Sequence, residues 1–217
     1  MAGAVYVEGQ RVAKPDQHVD VNAQIEVRAG GLPYVSFGGT KLKHALEAFG
    51  LDVRGKRALD VGSSTGGFVD CMLQEGAACV YAVDVGTHQL HEKVRRDPRV
   101  VPLEGVNARY LTPGQVGGDV DIVTVDVSFI SLKKILPALI SILHRGAVLV
   151  TLVKPQFEVG RYQVGKGGIV KDQERVRAVI EDIKEFGEGL ELRPKGVTEA
   201  PREKERKNRE YFILWEL

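Results

Sequence analysis

Two charged residues stand where apolar runs end. Asp126 follows Ile122-Val123-Thr124-Val125, and Lys154 follows Ala147-Val148-Leu149-Val150-Thr151-Leu152-Val153. Val-rich runs without polar alternation are what strands covered on both faces look like, and open α/β sheets bind ligands outside the carboxyl ends of such strands. An acid and a lysine at one sheet edge can orient a substrate and move protons. By position alone, Lys154 is equally a cation reaching for water. A third signal lies upstream, in Leu59-Asp60-Val61-Gly62-Ser63-Ser64-Thr65-Gly66-Gly67-Phe68, a glycine turn between an apolar run and a helical pattern, with Asp84 ending the next apolar run. Glycines let a ligand approach the backbone, and an acid at the second strand tip can accept hydrogen bonds from ribose hydroxyls. The turn lacks the G-x-G-x-x-G order, and the chain has no G-x-x-x-x-G-K-[ST] phosphate loop. Asp60, just before the turn, would repel a pyrophosphate and attract an ammonium group. S-adenosylmethionine, an amino acid at one end and adenosine at the other, meets both demands. The plain alternative is a tight β-to-α turn with no ligand.

Bringing these groups to one edge requires alternating strands and helices, and from Arg57 onward the chain supplies them. Strand-like runs at 58–61, 80–85, 100–103, 122–127 and 147–153 alternate with helical patterns at 68–74, 89–96, 132–143 and 173–186, and two more strand candidates, 191–197 and 211–215, close the chain. That order predicts a parallel sheet between helix layers. Upstream, a helix is expected over 40–49, and Ala29-Gly30-Gly31-Leu32-Pro33 reads as a linker. The first 28 residues hold two short extended pieces, 5–8 and 24–28, too little to bury a core. With 217 residues, 43% hydrophobic and 27% charged, the chain suits one substantial core plus a small appendage. Thirty Lys and Arg against 29 Asp and Glu leave a formal net charge of +1, so a nucleic acid would have to be held by a local basic patch. Cys71 and Cys79 are too few for a disulfide framework and lack metal-type spacing, which points to a reducing cytoplasm. The longest apolar run, 135–143, is broken by Pro137 and Ser141, and no signal-peptide pattern opens the chain, so neither a membrane span nor export is expected.

Taken together, these motifs resemble the TlyA, or hemolysin A-like, ribosomal RNA 2′-O-methyltransferases, whose catalytic domain is related to the FtsJ-type enzymes. The resemblance covers essentially the whole chain. Its carriers are Tyr34-Val35-Ser36-Phe37-Gly38-Gly39-Thr40-Lys41-Leu42, the 59–68 loop, Ala82-Val83-Asp84-Val85-Gly86, Asn107-Ala108-Arg109, the 126–132 segment, Leu152-Val153-Lys154-Pro155-Gln156-Phe157-Glu158, and Asn208-Arg209-Glu210-Tyr211-Phe212. The resemblance implies a Rossmann-like class I methyltransferase fold, α/β, with a mostly parallel seven-stranded sheet and helices on both faces. It implies a domain at 34–217, a linker at 29–33, and at 1–28 the second half of an alpha-L RNA-binding module whose helical first half is missing. It also implies the Lys-Asp-Lys-Glu tetrad of FtsJ-type enzymes, carried onto Lys41, Asp126, Lys154 and Glu210. A ribose 2′-hydroxyl is a poor nucleophile until deprotonated, and a lysine does this only if burial and a nearby cation lower its pKa. Lys154 is the candidate base and Lys41 the second cation; Asp126 and Glu210 favour charged lysines, so their expected role is orientation. For S-adenosylmethionine the resemblance implies contacts from Asp60, Gly62, Ser63, Thr65, Gly66, Gly67 and Phe68, from Asp84 and Val85 at the ribose, from Asn107 and Ala108 near adenine, and from Asp126. No metal is required. The implied partners are ribosomal RNA or ribosomal subunits, with no membrane.

The chain departs from the family pattern in two places. Phe37 stands where an arginine is usual, and residues 200–209, Pro-, Gly- and Asn-rich in the family, are here densely charged and glycine-free, with five basic and two acidic residues. Such a run is either a solvated loop or a tracker of phosphates. The 160–168 segment, with Arg161, Tyr162 and Lys166 among glycines, reads as a loop able to cover bound RNA. His88 and His91 read as a surface pair, the cysteines as packed thiols, and Trp215 as core. The competing functions are methylation of a small molecule or protein, RNA binding with a dead cofactor pocket, and hemolysin-like membrane activity; no amphipathic insertion segment supports the last.

Overall fold

The computed structural model describes residues 5–12, 17–27, 32–160, 164–165, 167–204 and 207–217. The chain divides into two compact units, Met1–Pro33 and Tyr34–Leu217. In the first, β1 (Val5–Val7) lies between β2 (Gln10–Arg11) and β3 (Ile25–Val27), antiparallel to both. Glu8 and Gly9 join β1 to β2 with φ of 49° and 76°, the left-handed pair that a two-residue hairpin turn needs.

The second unit opens with α1 (Phe37–Phe49) and continues through β4 (Arg57–Val61), α2 (Gly67–Gln74), β5 (Cys79–Asp84), α3 (Glu92–Arg95), β6 (Val100–Glu104), β7 (Val120–Val125), α4 (Leu136–Ile140), β8 (Leu143–Val153), α5 (Pro155–Glu158), α6 (Gln173–Glu188), β9 (Arg193–Glu199) and β10 (Tyr211–Glu216). Seven strands form one sheet in the order β6-β5-β4-β7-β8-β10-β9. The first five are parallel, and β10 runs antiparallel between β8 and β9. Successive side chains leave a strand on opposite faces, and both faces are apolar here. Leu59, Tyr81, Leu149 and Ile213 pack with α4 and α6 on one side, while Ala58, Val80, Val150 and Phe212 pack with α1 and α2 on the other.

Several elements differ from the sequence expectation. α1 begins at Phe37, three residues early, because Gly38 and Gly39 pack closely rather than break the helix. The helix expected over 89–96 is only Glu92–Arg95, and the pattern at 132–143 divides into a 3-10 turn at Leu132–Lys134, short α4, and the start of β8 at Leu143. Pro137 accounts for the short helix, since it fits only a first turn. Among the described residues no helix is long and apolar enough to cross a membrane.

The outer helix α6 is capped by Asp172, whose side chain accepts from Glu174 N and Arg175 N. It seats on Trp215, fully buried, whose Nε1 donates to Thr151 Oγ1 at 2.9 Å. A Cβ at Gly187 would lie 2.5 Å from that indole ring. Gly187→Ala is therefore expected to lower stability by about 1 to 3 kcal/mol through overpacking, despite its better helix propensity, and to appear as a reduced Tm in thermal unfolding.

Candidate active site

Four parallel strands release the backbone at one edge: β4 at Gly62, β5 at Val85, β7 at Asp126 and β8 at Lys154. The turn after β4 is a close backbone approach. Gly62 has φ of 86°, and a Cβ there would lie 2.4 Å from the Asp126 carbonyl oxygen, while Asp126 N donates to Val61 O at 2.9 Å. Gly62 N and Ser63 N both donate to Val83 O, at 2.8 and 3.1 Å. Asp84 then ties two loops together, its Oδ2 accepting from Ser64 N at 2.8 Å and its Oδ1 from Gly86 N at 2.7 Å. A second close approach brings in α1: a Cβ at Gly67 would lie 2.2 Å from Ser36 Oγ and 2.9 Å from Gly39 N. Buried Asp70 on α2 fixes the same junction by accepting from Val35 N at 2.9 Å and pairing with Lys93 at 3.0 Å. This junction carries Lys41 to the edge.

Two adjoining cavities result. One of about 280 Å³ is lined by Lys41, Asp60, Gly62, Ser63, Thr65, Gly67, Phe68, Asp126, Lys154 and Glu210. The other, about 510 Å³, is lined by Gly62, Asp84, Val85, Asn107, Ala108 and Asp126, with apolar Val106, Val127 and Ile130. Of the residues assigned from sequence to the tetrad or the cofactor, Gly66 alone lines neither; with φ of 90° it faces Leu90 and Val94 and makes the turn into α2. The four tetrad candidates form two ion pairs, Lys41 Nζ with Glu210 Oε2 at 2.5 Å and Lys154 Nζ with Asp126 Oδ1 at 2.6 Å. The second pair is not aligned as a hydrogen bond, and Lys154 donates instead to Ser128 Oγ at 2.9 Å. All four side chains are only 11 to 21% exposed, so neither pair is an ordinary surface contact.

Asp60 is fully buried. Its Oδ1 accepts from Thr124 Oγ1 at 2.6 Å, while Oδ2 and the nearby Ser63 Oγ have no hydrogen-bond partner among the described residues. Burial pushes the Asp60 carboxyl up to about 7, the Thr124 hydrogen bond opposes this, and the charges of Asp126 and Asp84 add to it.

Sequence reading missed Ser36, Ser128, Arg202, Glu203, Lys207 and Asn208, which all line the smaller cavity. Ser36, Ser128 and Asn208 sat inside quoted motifs, and Arg202, Glu203 and Lys207 lay in the charged 200–209 run, but their place at this cavity needed the fold. Phe129, beside Ser128, has φ of 64°, is 90% exposed, and lies 5.0 Å, centroid to centroid, from the Phe157 ring. His91 caps α3, its Nδ1 accepting from Lys93 N at 3.2 Å, and His88 lies before that helix. Parts of the two loops read from sequence, residues 161–163, 166, 205 and 206, lie outside the described residues.

A parallel sheet with one reversed strand, a glycine turn after β4 and an acid at the tip of β5 together define a Rossmann-like methyltransferase. The FtsJ-like methyltransferase profile matches residues 34–217, and the chain belongs to that family. A 16S/23S rRNA (cytidine-2′-O)-methyltransferase, TlyA, of Mycobacterium tuberculosis is 49% identical over 216 residues, covering 99% of this chain and 80% of the relative. A hemolysin-named structure from Streptococcus thermophilus superposes with a TM-score of 0.86 at 43% identity, covering 100% of this chain and 79% of that one. An S-adenosylmethionine-dependent methyltransferase from Aquifex aeolicus shares the fold at a TM-score of 0.58 and 20% identity, covering 82% of this chain and 90% of that one.

Two outcomes follow from this geometry. Gly62→Ala strains the left-handed turn by about 1 to 2 kcal/mol and displaces the Asp126 carbonyl, so the Tm in thermal unfolding should fall. For Asp60, the folded pKa of about 7 lies above the ordinary aspartate value of 3.8, so the stability it contributes is present below about pH 4 and is lost as pH rises to about 7. Asp60→Asn should therefore raise the Tm more at pH 8 than at pH 5.

Proposed function

We propose that the chain transfers a methyl group from S-adenosylmethionine to the 2′-hydroxyl of a cytidine ribose in ribosomal RNA, with Lys154 as base. The observation that carries this reading is the convergence of the Lys154–Asp126 and Lys41–Glu210 pairs in one cavity, beside a second cavity edged by Asp84. The activity named for the Mycobacterium tuberculosis relative supports the substrate class.

The residues fit the cofactor. Unpartnered Asp60 Oδ2 and Ser63 Oγ offer an acceptor for an ammonium and a donor for a carboxylate. Gly62, Thr65, Gly67 and Phe68 bound the same space, and Asp84 keeps a lone pair on each oxygen for ribose hydroxyls. Val85, Asn107 and Ala108 would flank adenine in the larger cavity. When bound, S-adenosylmethionine supplies a sulfonium methyl whose carbon–sulfur bond breaks as the oxygen–carbon bond forms.

Lys154 Nζ, in its neutral form, accepts the 2′-hydroxyl proton and ends as an ammonium held by Asp126 and Ser128. Lys41, fixed by Glu210, supplies a second positive charge that favours a developing alkoxide. Asp126 and Glu210 hold the two lysines in place, and positioning does much of the remaining work. Exposed Phe129 at the rim offers a face on which an unstacked base can lie. Residues 1–28 are read as part of an RNA-binding module that helps to find the substrate.

The test is transfer of labelled methyl to unmodified ribosomal subunits. Lys154→Ala and Lys154→Arg should both fall by about 100-fold or more, because a guanidinium keeps the charge but does not give up its proton. Near-normal transfer by Lys154→Arg would overturn the base assignment. A wild-type protein that binds S-adenosylmethionine yet methylates no ribosomal RNA would move the substrate to a small molecule or protein.

A further inference from the structure

Between β9 and β10, Arg202, Glu203, Lys207 and Asn208 line the smaller cavity. Both ends of the segment are pinned. Ala200 N donates to Glu210 O at 2.8 Å, and the Asn208 side chain donates to Gly168 O and accepts from Val170 N, each at 2.8 Å. Three of its cations are held by carboxylates nearby in the sequence. Lys207 Nζ lies 2.6 Å from Glu203 Oε2, Arg209 Nη1 3.3 Å from Glu199 Oε2, and Arg202 Nε 3.9 Å from Glu199 Oε1. Glu199 is thus shared by two guanidinium groups.

Exposed pairs of this kind stabilise a fold very little, so folding does not explain why three cations and two carboxylates are gathered beside the cavity holding Lys41 and Lys154. A carboxylate and a phosphate diester present the same ligand to an ammonium or a guanidinium, two anionic oxygens on one centre. We propose that Arg202, Lys207 and Arg209 form a strap for the RNA backbone phosphates flanking the target ribose, with Glu199 and Glu203 as internal competitors that phosphates displace. This rests on the RNA reading above. A formal net charge of +1 gives the molecule no global field to attract RNA, so local cations must supply the attraction. The competing carboxylates suppress adhesion to unrelated polyanions, because an incoming anion must outdo a ligand already in place. Pinning by Ala200 and Asn208 holds the strap beside Glu210, so phosphate binding and alignment of the Lys41–Glu210 pair are set by one piece of backbone.

The experiment measures KM for unmodified ribosomal subunits in methyl transfer across a series of KCl concentrations. Lys207→Gln and Arg209→Gln should each raise KM and flatten the dependence of log(1/KM) on log[KCl] by about 0.7 to 0.9. Glu203→Gln should lower KM several-fold, the opposite direction and one that a merely structural ion pair would not give. Lys56→Gln, at the other edge of the sheet, serves as the control and should leave KM unchanged. The strap is overturned if Glu203→Gln raises KM, or if the Lys207 and Arg209 variants match Lys56→Gln while the wild type still methylates subunits. If the wild type binds S-adenosylmethionine but methylates no subunit, the RNA reading itself fails and takes the strap with it.

Discussion

Between β4 and β7 the main chain leaves no room for a side chain. Gly62 turns with φ of 86° directly against the Asp126 carbonyl, and the Asp126 amide returns a hydrogen bond to Val61. This contact joins the turn that borders both cavities to the residue that pairs with Lys154. Gly67 repeats the device one turn later, letting the start of α1 lie against the start of α2 and bringing Lys41 within reach of Glu210. Two glycines thus fix the relative positions of four charged side chains that lie as many as 169 residues apart in sequence.

The charges are arranged by how far each is removed from water. Asp60 is fully buried, and one of its carboxyl oxygens has no partner among the described residues, at the expense of stability. The two lysine–carboxylate pairs are only partly covered, so a substrate can reach them while bulk solvent screens them little. Farther out, the pairs of the β9–β10 segment are about one-third to three-fifths exposed and can exchange partners cheaply. The site grades from fixed to exchangeable charge as exposure to water rises.

The N-terminal unit obeys different physics. Its three short strands satisfy one another's backbone groups but leave Val21 94% and Ile25 58% exposed. The catalytic unit, by contrast, covers both faces of its sheet, and that rigid platform is what allows strand ends to serve as attachment points for chemistry.

The sequence by itself determined the strand and helix alternation, the parallel centre of the sheet, and the placing of Asp60, Asp84, Asp126 and Lys154 at strand ends. These follow from period and punctuation, which are local properties: a Val-rich run ends where a charge or glycine begins. It also carried Lys41 and Glu210, but only through family resemblance, since nothing local distinguishes them from solvated residues. Tertiary structure alone decided that Lys41 pairs with Glu210, that one Asp60 oxygen has no partner among the described residues, that Gly66 serves the turn rather than a cavity, and that Lys207 and Arg202 line the same cavity as Lys41 and Lys154. It likewise shortened the helix expected over 132–143, where β8 claimed Leu143 by pairing with Val120. Each of these depends on the distance between residues remote in sequence, and such distances arise only when both faces of the sheet are packed.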